Sequence, residues 1–118
     1  MIRRIRAFTL VEIMIVVAII GVLIAIAVPG FLRARMISQM NACQENLSKI
    51  DGGKQQWALE NKKGNTATPV DADIYGGTLY VRMSPVCPTG GTYAINDMST
   101  KPDCTQSTLA DFPHVFAN

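Results

Sequence analysis

The chain has 118 residues, 48% of them hydrophobic, with three cysteines, one histidine and a net charge of +2. That length bounds it to one small unit. The basic excess sits in Arg3, Arg4 and Arg6, without which the balance turns to −1, so nothing suggests a nucleic-acid-binding patch. A lone histidine and no identifiable nucleophile or paired carboxylate leave no catalytic constellation, and the chain reads as a non-enzyme.

The three arginines stand before an apolar run with no acid among them, which by the positive-inside tendency holds the N-terminus in the cytoplasm. From Ile13 to Leu32 no residue is charged. About 20 helical residues cover the roughly 30 Å of a bilayer core. Glu12 stands at the lip of this span, where an unpaired carboxylate favours protonation and a partner ammonium offsets the desolvation of both groups. A rival reading takes Ala25-Ile26-Ala27 as the end of a secretory signal, but the apolar stretch is long for that and would contain Glu12. Gly21 and Pro29 predict weak points in the helix, with a kink or loosening at Pro29.

Beyond Pro29 an apolar seam of Met36, Met40, Cys43, Leu47, Ile50, Gly53 and Trp57 recurs at spacings of 4, 3, 4, 3, 3 and 4. This is helical periodicity; Arg33, Arg35, Gln39, Glu45, Lys49 and Lys54 are placed on the other faces. Gly53 on the seam admits a close neighbour, and Lys62-Lys63-Gly64 reads as the stop, with glycine in the left-handed cap. Residues 65–73 read as loop, 78–83 and 92–96 as strands separated by a Pro/Gly-rich turn, and 114–116 as a third short strand. The expected fold class is α+β, a long N-terminal helix packed on a small C-terminal antiparallel sheet.

Cys87 and Cys104 lie in turn-rich segments outside the membrane, and a disulfide between them would close a loop of 16 intervening residues. The chain-entropy model gives such a loop about 3 kcal/mol, in an oxidising compartment. Cys43 on the seam reads as a small core residue, though the other two pairings stay open. No pair is spaced C-x-x-C, which argues against a zinc site or thiol redox chemistry. Asp71 and Asp73, with other loop aspartates, are weak calcium candidates without EF-hand spacing. His114 reads as structural.

The leader Arg3-Arg4-Ile5-Arg6-Ala7 followed by Phe8-Thr9-Leu10-Val11-Glu12 and the apolar run closely resembles the class III leader of type IV prepilins and type II secretion pseudopilins. The resemblance implies a pilin-like division into a leader (1–7), a transmembrane and assembly helix (8–30), an amphipathic helix (31–64) and a β-rich region (65–118). It implies cleavage by a prepilin peptidase between Ala7 and Phe8 and N-methylation of Phe8; the family's usual glycine before the cut is Ala7 here. Glu12 would be the fifth mature residue, neutralising the amine of a neighbouring subunit, while Gly21 and Pro29 fall where the family commonly carries a glycine and a proline. The implied partners are copies of this chain, other pilins, an assembly platform and the inner membrane, and the implied product is a periplasmic or surface filament. The short C-terminal part tilts the reading toward a secretion pseudopilin over a pilus. The alternative is a membrane-anchored periplasmic binding module that does not polymerise.

Overall fold

The computed structural model describes residues 6–116, so Arg3, Arg4 and most of the expected leader lie outside the described residues. Its elements are α1 (Leu10–Glu60), α2 (Asp71–Ile74), β1 (Tyr93–Ala94) and β2 (Asp103–Cys104). The chain divides into two compact units, Met1–Arg35 and Met36–Asn118, and α1 contributes to both.

In the first unit the chain is non-helical up to Thr9, and the helix begins there for a local reason. Glu12 accepts the Thr9 N–H at 2.8 Å, and the Thr9 hydroxyl accepts the Glu12 N–H at 3.3 Å, a reciprocal capping box that satisfies donors at the helix start. Every described residue up to Arg35 is exposed, including the whole apolar run. A helix apolar on all sides is one that belongs in a buried setting, a protein core or a membrane. α1 is long and apolar enough to cross a membrane. It runs through Pro29 without interruption, although the ring removes the hydrogen bond that Ala25 would have accepted.

In the second unit α1 turns one face inward. Cys43, Leu47, Ile50, Gly53 and Trp57 of the predicted seam are buried, joined by Lys54 and Ala58, while Met36 remains exposed. Ile50, Trp57 and Ala58 pack with Ile74 and Ile95; Cys43 and Leu47 pack with Cys87 and Cys104. Gly53 is required by the packing, since a Cβ there would lie 2.7 Å from Cγ2 of Val81 and 3.3 Å from Cγ2 of Ile74. α1 ends earlier than Gly64. The Lys63 N–H reaches the Ala58 carbonyl at 2.9 Å and that of Lys62 the Leu59 carbonyl at 3.4 Å, with Lys62 left-handed at φ 52°. This double closure makes Lys62, instead of Gly64, the left-handed residue of the cap.

The sheet is smaller than predicted and its pairs differ. β1 pairs antiparallel with β2 in the register Tyr93↔Cys104 and Ala94↔Asp103. Residues 78–83 form turns, with Val81 alone bridging to Tyr75, and 114–116 is not a strand. The expected loop at 65–73 contains the start of α2, where Asp73 accepts the Val70 N–H at 3.1 Å. Prolines and glycines between 85 and 91 break the sequence into turns, so backbone groups are satisfied locally and only short ladders form.

Candidate functional site

Two groupings carry chemistry, one in each unit. In the first, Arg6, Ala7 and Phe8 are exposed and non-helical immediately before the cap, and Phe8 is 83% exposed. Glu12 is also exposed, but it is not idle: besides the Thr9 N–H it accepts the Thr9 hydroxyl at 3.2 Å. The sequence reading gave Glu12 an intersubunit role and missed this local one, although T-x-x-E before an apolar run is its signature. Gly21 has open space around it.

The second grouping is buried. The Sγ atoms of Cys43, Cys87 and Cys104 and a ring nitrogen of His114 all lie within 4.8 Å of one another, and all four residues are buried. The sulfurs of Cys43 and Cys87 are 3.9 Å apart, and the Cys87 sulfur is 3.5 Å from Nδ1 of His114. The expected Cys87–Cys104 disulfide is not formed; all three thiols are free. Cys43 does not sit apart on the seam, because the turns bearing the other two cysteines pack directly over it.

Local sequence explains how four distant residues converge. Cys87-Pro88-Thr89-Gly90 is a tight turn closed by the Gly90 N–H on the Cys87 carbonyl at 3.0 Å, with Gly90 at φ 84°. Proline and glycine supply the backbone angles such a turn needs. Cys104 opens a similar turn, with the Ser107 N–H on the Cys104 carbonyl at 2.9 Å. The β1–β2 ladder ties the two turns together, and the C-terminal segment returns with the His114 N–H on the Gln106 carbonyl at 3.2 Å. Gly91 is the close-approach residue, because a Cβ there would lie 2.9 Å from the Cys104 sulfur.

Electrostatics separate the thiols. Burial pushes Cys43 up to about 12, against a bond donated by the Tyr93 hydroxyl, and burial also raises Cys104. Burial acts upward on Cys87 too, but bonds from the Thr89 hydroxyl, the Thr89 and Gly91 amides and His114 outweigh it and bring it down to about 6. Tyr93 is in turn oriented by Asn46, whose amide donates to its hydroxyl at 3.1 Å and to the Val86 carbonyl at 3.3 Å.

A third buried group was assigned to the solvent face by periodicity. Lys54 is 1% exposed, and its ammonium donates to the carbonyls of Ile95 at 3.1 Å, Asp97 at 2.8 Å and Thr100 at 2.6 Å. It therefore fixes the loop after β1 onto α1. Asp71 and Asp73 lie in the first turn of α2, where the Asp73 carboxylate serves the helix start.

Comparison with known proteins agrees with the first grouping. Residues 2–28 match the model of the prokaryotic N-terminal methylation motif. The chain is 49% identical over 60 residues to the type IV major pilin protein PilA of Myxococcus xanthus, a match covering 51% of this chain and 27% of that protein. It is 29% identical over 102 residues to the type II secretion system core protein G of Klebsiella michiganensis, covering 76% of this chain and 72% of that protein. A third relative, the competence protein ComGC of Bacillus subtilis, is 29% identical over 85 residues, 72% of this chain and 83% of that protein. No solved structure matches.

Proposed function

Since the chain belongs to the type IV pilin and pseudopilin family, we propose that it is a structural subunit that polymerises through the first part of α1. The observation that carries this reading is the apolar stretch of α1 up to Arg35, exposed on every side and matched by the methylation motif as far as Val28. The precursor sits in the inner membrane with its C-terminus outside the cytoplasm. A prepilin peptidase cuts between Ala7 and Phe8, in the exposed non-helical stretch before the Thr9 cap, and methylates the new amine. Alanine is small enough to stand in for glycine before the cut.

Cleavage creates an ammonium at Phe8, one residue before the cap. In the packed filament core, where water is scarce, that ammonium on one subunit attracts the Glu12 carboxylate of the next, and misregistered subunits leave both charges unpaired. Gly21 and Pro29 allow the helix to adjust during stacking. The platform protein and other pilins receive the subunit, and the filament stands in the periplasm or at the cell surface. The relatives include both pilus and secretion proteins, so the filament is of the pilus or the pseudopilus kind.

The Thr9–Glu12 box makes the test sharper than a single truncation. Glu12→Gln retains a side chain that can cap the helix but removes the charge; Glu12→Ala removes both. Charge pairing between subunits predicts that both variants insert normally and that both lose at least ten-fold in sheared filament yield. Normal yield from Glu12→Gln would reduce Glu12 to a helix cap.

A further inference from the structure

The buried thiol–imidazole cluster lies in the second unit, and its geometry has its own meaning. We propose that Cys43, Cys87, Cys104 and His114 form a tetrahedral zinc site that staples the second unit.

Zinc–sulfur bonds of about 2.3 Å and zinc–nitrogen bonds of about 2.0–2.1 Å place tetrahedral ligands about 3.8 Å apart for two sulfurs and about 3.5 Å for sulfur and nitrogen. The structure gives 3.9 Å for Cys43 and Cys87 and 3.5 Å for Cys87 and His114, with Cys104 completing the four within 4.8 Å. Three thiolates and one imidazole are a soft donor set of the kind that selects zinc. A disulfide between any two cysteines would use two sulfurs and leave the third buried beside His114, which gives the fourth corner no purpose.

The surroundings are those of a bound thiolate. Cys87 and Cys104 each open a tight turn, and the backbone N–H two residues on, Thr89 or Gln106, bonds back to the sulfur. Cys43 receives the Tyr93 hydroxyl, held by Asn46. Such outer donors orient metal ligands and disperse their charge. The Zn²⁺ ion displaces the three thiol protons to solvent, leaving three thiolates and a neutral histidine around it. A groove lined by Met36, Gln39, Thr89, Leu109, Phe112 and His114 lies against the histidine corner.

The four ligands come from α1, two separate turns and the C-terminal return, so one ion ties both turns and that return to the helix. Small folds with limited aliphatic cores commonly need such a staple.

The test uses the full chain, extracted in detergent and purified without chelator or reductant. The expected result is one zinc per chain by elemental analysis, and replacement by Co²⁺ should give the visible bands of tetrahedral thiolate-bound cobalt. Cys43→Ser and Cys104→Ser should lose the zinc. His114→Cys should retain it with shifted cobalt bands, a readout that a merely structural histidine would not move. If a variant does not fold, the unsubstituted chain still decides through its zinc content and cobalt spectrum. No zinc and no cobalt bands after loading the reduced chain would overturn the site. So would an intact mass lower by two hydrogens with a cystine linking any two of the three cysteines.

Discussion

Up to Arg35 every described side chain is exposed although the sequence is almost wholly apolar, whereas from Met36 onward the chain buries a lysine, a histidine and three cysteines beside a few aliphatic and aromatic residues. The contrast separates hydrophobicity from core formation. The first unit's apolar surface has no cover within its own described chain, and in the proposed reading lipid or other subunits bury it. The second unit has too few large aliphatics for a deep core and relies on directional contacts: an ammonium on three carbonyls, tight turns, and four ligand atoms gathered at one point. One helix serves both units because its periodic seam begins only after the membrane-length stretch.

If directional contacts hold the second unit, Lys54→Met should be its most damaging conservative change. Methionine keeps the stem but leaves the carbonyls of Ile95, Asp97 and Thr100 without their shared donor. The expected loss is about 3 kcal/mol. Trp57, the only tryptophan and buried in this unit, reports it by fluorescence in denaturant. An unchanged midpoint would mean that the loop after β1 holds itself.

The two adjacent glycines sharpen the comparison at lower energy. Gly53→Ala forces a methyl against Val81 and should destabilise by about 1–3 kcal/mol despite better helix propensity. Gly52→Ala meets nothing within 4 Å and should stabilise by about 0.5–1 kcal/mol. The same fluorescence transition measures both, and equal effects would contradict the assigned packing.

Much of the architecture was legible in the sequence because it rests on periodicity. The uncharged span, the seam from Met36 to Trp57 and the close approach at Gly53 all follow from spacing along a helix. The methylation motif was legible because its residues are contiguous. What escaped is what only three-dimensional return can make. Lys54 adjoins the seam, and its burial depends on carbonyls more than 40 residues away. Cys43 and His114 lie 71 positions apart, so no ligand spacing could pair them. The Cys-Pro-Thr-Gly turn was the available signal, since a turn rich in proline and glycine aims amides at the preceding sulfur. The strands failed for a related reason: glycine and proline divide 76–91 into turns, leaving, among the described residues, the Tyr93–Ala94 and Asp103–Cys104 ladder and the single Tyr75–Val81 bridge.

The central claim is that the first unit is made for other copies of this chain, after a cut that creates its N-terminus. Intact-mass and N-terminal peptide analysis of protein from sheared filaments and from membranes tests it most directly. The account predicts a filament chain beginning at methylated Phe8. Filament protein beginning at Met1 or at Val28, or no filament at all from cells holding the processed chain, would contradict it.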